Sequence, residues 1–111
     1  MNIEKIVEDF NTIADAKGWR VLHTPKNLAT AIAVEVGELL PWFQWLPDSA
    51  EQQNYVLQES REQIAAELAD IMAYSLVLAD KLGIDMKQAL ADKMTANKQR
   101  FLDSETSSGD R

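Results

Sequence analysis

The sequence predicts an all-α fold, and three features of its composition and patterning support that prediction. Glycine and proline are scarce, with 4 and 3 residues in a chain of 111. No segment alternates strictly between apolar and polar residues, as a half-buried strand would. Alanine, leucine, glutamate, glutamine, lysine and methionine, which favour helices, are plentiful. We therefore expect helices along the whole folded part of the chain.

The first two helices are delimited by local signals. A helix over about residues 2–17 carries apolar residues at helical spacing, and Gly18 is placed to end it. After a short connection, Thr24 fits the N-cap and Pro25 the first position of a second helix. Pro41 should kink or stop this helix, because it lacks a backbone N–H and its ring presses on a preceding carbonyl.

Two more helices are expected in the second half of the chain. The polar segment 46–60 reads as a loop with a helical turn. A third helix should cover about residues 59–82 and close at Gly83. Asp85 can cap a fourth helix, over about residues 86–101. The prediction is therefore four helices.

Length and charge restrict the class of protein. The chain is long enough for one domain, over residues 1–102, with a small polar tail at 103–111 that we expect to be disordered. A net charge of −7 argues against a nucleic acid polymer as partner. Cysteine is absent, and neither a signal-peptide core nor a membrane-spanning apolar run is present. We expect a cytoplasmic protein without a membrane partner.

The third helix contains the segment IMAYSLVLA, which is apolar on nearly every side. A helix of this kind is buried on several faces. Three partner helices in so short a chain offer limited cover, so we expect self-association. A central helix in a monomer is the alternative.

Four acidic residues interrupt the apolar stripes of the second and third helices. Glu35 lies in the core-facing stripe of the second helix, and Glu38 sits about 60° to one side of it. Glu67 and Asp70 repeat the arrangement on the third helix. No lysine or arginine lies three or four residues from any of the four, so the repulsion within each pair is not offset locally.

Partly buried carboxylates without a counter-charge either take up a proton or bind a metal. Four together favour a metal, and their hard oxygens suit Mg²⁺, with Mn²⁺ as the alternative. A di-iron bundle would supply Glu-x-x-His from two helices, and the missing histidines disfavour a carboxylate di-metal oxidase. Acids that are solvated, or paired with cations on another helix, are the structural alternative.

The remaining candidate site residues would hold a substrate. Mg²⁺ held by carboxylates is a usual partner of a polyphosphate. Lys93, Asn97 and Arg100 lie along one edge of the fourth helix and could donate to phosphates, although lone basic residues are more often simply exposed. Trp45 and Tyr74 follow the acids by one or two turns and could wall a pocket for a nucleobase. Core packing is the commoner use of such rings.

These motifs, taken together, resemble a known family. EVGELLPWFQW is followed, 29 residues after Glu38, by ELADIMAYSLVLADKLGID and then by KMTANKQRF. The combination resembles the MazG-like all-α nucleoside triphosphate pyrophosphohydrolases, most nearly the small dCTP-pyrophosphatase branch, over roughly residues 19–101. The resemblance implies a four-helix bundle of the MazG-like type. It also implies a homodimer or homotetramer whose sites use helices from more than one chain.

The resemblance further implies a reaction and its residues. The reaction is Mg²⁺-dependent cleavage of a dCTP-like (deoxy)nucleoside triphosphate to the monophosphate and pyrophosphate, by attack of water on the α-phosphorus, in nucleotide-pool housecleaning. The implied metal ligands are Glu35, Glu38, Glu67 and Asp70, with Glu38 as the candidate to take the proton of the water. The residues implied to meet phosphates or sugar are Lys93, Asn97 and Arg100. Those implied to border the base are His23, Trp45 and Tyr74.

Pro41 departs from the family pattern, which ordinarily continues the helix there with an acidic or other helix-forming residue. It leaves the acids upstream of it untouched, but it can redirect Trp42 and Trp45, so it bears on base preference. A functional alternative of another class also stands. It is a non-catalytic helical protein that binds a nucleotide or a partner and uses its acidic pairs structurally.

Overall fold

The computed structural model describes residues 1–102, which fold into five α-helices without a strand. The helices are α1 (Ile3–Lys17), α2 (Pro25–Leu39), α3 (Ala50–Glu59), α4 (Arg61–Lys81) and α5 (Met86–Leu102). Short 3₁₀ helices cover Arg20–Leu22 and Leu40–Trp42. The all-α prediction is confirmed for this range, and the tail predicted at 103–111 lies outside the described residues. None of the helices in residues 1–102 has the length and hydrophobicity needed to cross a bilayer.

The helix ends agree with their local signals. Thr24 Oγ1 accepts a hydrogen bond from the backbone N–H of Asn27 at 3.2 Å and caps α2. Asp85 Oδ1 accepts from the backbone N–H of Gln88 at 3.1 Å, before α5. Gly18 ends α1 with a left-handed φ of 71°, a conformation that glycine adopts without steric cost. These three predictions are confirmed.

The outcome at Pro41 is an early end of α2 rather than a kink. The α-helix stops at Leu39, and the chain tightens into the 3₁₀ helix Leu40–Trp42. Proline has no backbone N–H to continue the α-helical pattern. The chain therefore leaves the axis of α2 just beyond the acids, and Trp45 comes to lie at the surface, with 86% of its area exposed.

The segment predicted as a loop with a helical turn instead contains the 10-residue helix α3, so the count of four helices is wrong for the described residues. Ser49 caps this helix by accepting from the backbone N–H of Gln52 at 3.2 Å, and Glu51 in the first turn suits the positive end of the helix. Gln53 Nε2 also donates to the carbonyl of Pro47 at 2.9 Å. No residue of α3 is buried. Its larger apolar residues, Tyr55, Val56 and Leu57, are consecutive and not three or four apart, so they form no stripe that periodicity would detect.

The core forms where α2 packs along α4 and α1 packs against α4. Its central cluster joins Val7 of α1, Leu28 of α2, and Leu76 and Val77 of α4. Six apolar residues are buried within the described range, which is few for a chain of this length: Val7, Ala14, Leu28, Leu76, Val77 and Ala79. The radius of gyration is 17.8 Å, whereas a compact domain of 100 residues has a value of about 13 Å.

Helix α5 accounts for much of the elongated shape. It contacts the other helices only weakly and buries no residue. Its apolar side chains are largely exposed, at 52% for Leu90, 52% for Met94 and 41% for Phe101. The packed body of the single chain is therefore built from α1, α2 and α4.

Candidate active site

The packing of α2 on α4 brings three of the four predicted acids together. Glu35 and Glu38 of α2 and Glu67 of α4 each place one carboxylate oxygen within 4.8 Å of the others. We call these three residues the acidic cluster. Asp70, on the same helix as Glu67, does not belong to this set of mutually close oxygens, although its charge acts on Glu35. The predicted convergence of acids from two helices therefore occurs, with Asp70 at its edge.

The acidic cluster has no cation to neutralise it in the part of the chain that the structure describes. One oxygen of Glu35 and one of Glu67 are buried without a hydrogen-bond partner. The ion pairs between described residues lie on α1 and at its C-terminal end, away from the cluster. A buried carboxylate oxygen without a partner is costly. The arrangement is therefore suited to a cation from outside the chain.

Crowding of negative charge changes the acidity of the site. Burial is the largest cause, and together with the neighbouring Glu67, Glu38 and Asp70 it raises the pKa of the Glu35 carboxyl from 4.5 to about 7. Burial also raises the pKa of Tyr74, with the charges of Glu35, Asp70 and Glu38 as further causes. Converging hard oxygen donors, two of them unsatisfied, fit a divalent cation of the Mg²⁺ or Mn²⁺ type.

The raised pKa of Glu35 predicts how stability depends on pH. The folded-state pKa of about 7 exceeds the unfolded value of 4.5. The contribution of Glu35 to the free energy of unfolding is therefore fully present below pH 4.5 and is lost as pH rises through about 7. At pH 8 with EDTA, Glu35→Gln should be more stable than wild type by about 1 kcal/mol, after discounting for screening. It should also lose most of the rise in Tm that MgCl₂ produces. Thermal melts at pH 5 and pH 8 measure both effects.

Glu8→Gln is the matched control, because Glu8 is an exposed glutamate of α1 outside the acidic cluster. It should melt like wild type with and without MgCl₂. Equal behaviour of the two variants, or a Glu35→Gln protein that is less stable than wild type at pH 8, would contradict the expected crowding of charge.

An aromatic cavity of about 250 Å³ adjoins the acids. Its walls come from α1, the α1–α2 connection, α2 and α4: Phe10, Ile13, Ala14, Trp19, His23, Glu35, Asp70, Ala73 and Tyr74. The Phe10 ring lies 5.2 Å from the His23 ring and 5.3 Å from the Tyr74 ring, the latter edge-on at 76°. A larger groove, of about 1100 Å³, runs between α1 and the α4–α5 connection but does not reach the acidic cluster. The smaller cavity is therefore the candidate substrate site.

The residues predicted to border a base do not all lie at the same place in the structure. His23 and Tyr74 line the cavity, whereas Trp45 does not and is almost fully exposed. Phe10 and Trp19 line it but were not singled out from the sequence. Phe10 falls among the apolar positions of the first predicted helix, and Trp19 falls in the short connection after it, so neither position is marked as part of a site.

The predicted phosphate-binding residues lie apart from the acids within one chain. Lys93, Asn97 and Arg100 all belong to α5, and none of them lines the cavity. The guanidinium of Arg100 sits 4.9 Å from the centre of the Phe101 ring. A single chain therefore presents the acidic cluster and the aromatic cavity together, and the basic edge of α5 elsewhere.

Comparison with known proteins assigns the chain to a family. The sequence profile of the MazG-like family matches residues 30–109, a span that includes the acidic cluster, Asp70 and α5. The chain belongs to the MazG-like family. Two curated relatives are dCTP pyrophosphatase 1 of Bos taurus, 34% identical, and that of Homo sapiens, 31% identical. Each alignment covers 88% of this chain.

This MazG-like chain spans about 60% of the length of those curated relatives. It also resembles a solved structure, that of a pyrophosphatase from Archaeoglobus fulgidus DSM 4304. The TM-score is 0.82 at 34% identity, and the alignment covers 92% of this chain and 94% of the other. The family that the sequence motifs indicated is thus confirmed.

Proposed function

We propose that this MazG-like protein is a Mg²⁺-dependent nucleoside triphosphate pyrophosphohydrolase with a dCTP-like substrate. The observation that carries the proposal is the convergence of Glu35, Glu38 and Glu67 within 4.8 Å, beside a cavity walled by aromatic rings. The names of the curated relatives support the substrate class. The reaction would contribute to nucleotide-pool housecleaning.

The acidic cluster, with Asp70 at its edge, would hold the metal. Bound Mg²⁺ would polarise the phosphoryl oxygens and lower the pKa of an attacking water. Glu35 and Glu67 each have one buried oxygen without a hydrogen-bond partner, and these oxygens would fix the position of the ion. Mn²⁺ prefers the same oxygen ligands and is the alternative ion.

Glu38 is the candidate to take the proton of the water. Its side chain is exposed, unlike those of Glu35 and Glu67, so a proton that it accepts can pass on to solvent. The oxygen of the water forms a bond to the α-phosphorus, and the bond to the bridging oxygen of the β-phosphate breaks. The products are the nucleoside monophosphate and pyrophosphate. Tyr74, with its raised pKa, stays a neutral hydroxyl group beside them.

The cavity would receive the base, and Trp19 would contribute to its wall. Trp19 lines the cavity but is 47% exposed, so its ring is open to stacking.

Trp19→Ala should raise KM for dCTP about tenfold with little change in kcat, since stacking on an aromatic ring is worth about 1–3 kcal/mol per base. Steady-state kinetics measure the split. The control is Val21→Ala, on the same connection but outside the cavity, and an equal effect in both variants would contradict the role of Trp19.

We also infer a homodimer or homotetramer in which sites are shared. Three features support this inference: the small core, the exposed apolar side of α5, and the weak contact of α5, which carries Lys93 and Asn97, with the rest of its own chain. A second copy would cover α5 and bring its basic edge, with Arg100, to the acidic cluster. Trp45 does not line the aromatic cavity of its own chain. If it borders the base, it must therefore reach the cavity of a second copy.

Complementation between two inactive variants tests shared sites. Glu38→Gln and Lys93→Met should each be inactive alone, whereas co-expressed chains of a dimer that assort randomly should recover about a quarter of wild-type activity. Light scattering after gel filtration gives the number of chains. A monomer, or an oligomer without recovery of activity, would overturn the shared-site arrangement.

The proposed reaction is tested by incubating purified protein with MgCl₂ and a panel of nucleoside and deoxynucleoside triphosphates. Pyrophosphate and monophosphate are the expected products. Orthophosphate alone would indicate a different reaction. A rise in Tm on adding metal and nucleotide, without any turnover, would favour the non-catalytic binding protein.

A further inference from the structure

His23 presents an unpartnered nitrogen beside the aromatic cavity. Its Nδ1 is buried and makes no hydrogen bond to any described residue, and its imidazole lines the cavity with Phe10, Trp19 and Tyr74. Apart from the oxygens of the acidic cluster, the described chain has one other such atom, Oδ1 of Asn11, which lines the larger groove instead. Nδ1 is thus the buried, unsatisfied polar atom at the aromatic end of the candidate site.

The imidazole packs against one neighbouring ring, and the backbone that carries it is hydrogen-bonded. The Phe10 ring packs against it at 5.2 Å, tilted by 48°. The backbone N–H of His23 donates to the carbonyl of Arg20 at 3.1 Å, and the next residue, Thr24, is the N-cap of α2. A buried polar atom in the wall of a cavity can distinguish ligands by their hydrogen-bonding pattern, because the wrong ligand leaves it unpaired.

We propose that Nδ1 of His23 accepts a hydrogen bond from the exocyclic amino group of a base in this cavity and thereby selects cytosine over uracil. In neutral imidazole one nitrogen donates and the other accepts, so a hydrogen on Nε2 leaves Nδ1 as the acceptor. Cytosine carries an N–H donor at C4, where uracil carries a carbonyl acceptor. The carboxylates of Glu35 and Asp70 also line the cavity. They are proposed metal ligands, so they would bind the metal and not the amino group of the base.

The inference rests on the proposed function only in taking the ligand to be a nucleotide. Uracil would direct its carbonyl oxygen at the lone pair of Nδ1 and leave both acceptors without a donor. A site built around a hydrogen bond rejects an analogue that leaves buried polar groups unpaired. His23 is therefore assigned as the residue that determines specificity for an amino-bearing pyrimidine.

Binding of the two monophosphates, dCMP and dUMP, tests this assignment without any turnover. In calorimetry with MgCl₂, wild-type protein should bind dCMP about tenfold more tightly than dUMP, the ratio that corresponds to one satisfied hydrogen bond to a buried group. His23→Phe keeps an aromatic ring against Phe10 but lacks the acceptor, and the ratio should fall to about one. His23→Asn places an amide oxygen near the position of Nδ1 and should retain part of the preference. A His23→Phe protein with the wild-type ratio would overturn the assignment.

Nuclear magnetic resonance observes the acceptor directly, even where a variant fails to fold. His23 is the only histidine of the chain, so its two ring ¹⁵N signals are unambiguous. Nδ1 should be the unprotonated nitrogen, and its signal should move when dCMP is added but not when dUMP is added. A protonated Nδ1 in the dCMP complex would overturn the inference.

These outcomes are distinguishable from failure of the proposed reaction. Protein that prefers dCMP through His23 but releases no pyrophosphate from any triphosphate would refute the hydrolase and leave the base selection standing. Protein that cleaves dCTP and dUTP equally well would confirm the hydrolase and refute the base selection.

Discussion

Replacing Glu38 with glutamine is expected to lower kcat for pyrophosphate release about a thousandfold. Glutamine keeps the size of the side chain, but it neither accepts the proton of the water nor offers a charged oxygen to the metal. Because Glu38 is exposed, the substitution should leave folding intact. Steady-state turnover of dCTP with MgCl₂ measures the loss, and circular dichroism melts should show little change in Tm.

The comparison that makes this result specific is Glu8→Gln, which removes one exposed glutamate from α1 and should keep the wild-type kcat. A Glu38→Gln enzyme with more than about a tenth of the wild-type kcat would exclude Glu38 as the principal proton acceptor. If that enzyme also kept the full metal-induced rise in Tm, Glu38 would be excluded as a ligand as well.

Replacing Leu28 with alanine is expected to destabilise the fold by about 3 kcal/mol. Leu28 is 1% exposed and lies in the central cluster with Val7, Leu76 and Val77. Few other buried residues are present to compensate, so the cavity that alanine leaves would remain open. Tm should fall by about 10–20 °C, as follows from the unfolding entropy of a chain of this size. Activity at ambient temperature should fall too, because α2 carries Glu35 and Glu38.

Leu22→Ala is the matched leucine substitution, since Leu22 is 57% exposed on the α1–α2 connection. It should change the free energy of unfolding by less than about 0.5 kcal/mol. Urea titrations of the three proteins at two protein concentrations compare them and report any oligomer-dependent stability. Similar midpoints for Leu28→Ala and wild type would mean that the cluster around Leu28 does not hold α2 on α4.

Several features of the fold were predictable because they depend on neighbours in the chain. Thr24 and Asp85 accept hydrogen bonds from backbone groups three residues on, and Gly18 adopts a conformation that other residues disfavour. The acidic cluster was predictable for a related reason. Residues three apart share one face of a helix, and Glu35 and Glu67 stand in stripes that had to face the core.

Helix α3 shows where that reasoning fails. Its capping residue Ser49 and its helix-favouring composition were readable, but it buries no residue and carries no apolar stripe. A helix that contributes little to the core leaves little periodicity to detect. The sequence of the polar segment therefore predicts only a loop with a helical turn.

The aromatic part of the site depended on contacts between distant residues. The chain has three tryptophans, and their spacing alone does not say which of them faces the acids. The early end of α2 at Leu39 leaves Trp45 exposed, while the packing of α1 on α4 brings Phe10 to Tyr74 and encloses the cavity that Trp19 lines.

Helical class, helix ends and the pairing of acids on common faces follow from the order of residues, because backbone hydrogen bonding and the 3.6-residue period act within a few positions. Three other features do not follow from the order of residues. They are the identity of the rings that surround the acids, the place of Asp70 outside the acidic cluster, and the separation of α5 from the site. They depend on how α1, α2 and α4 pack, and that packing is set by the burial of apolar surface from residues far apart in the chain.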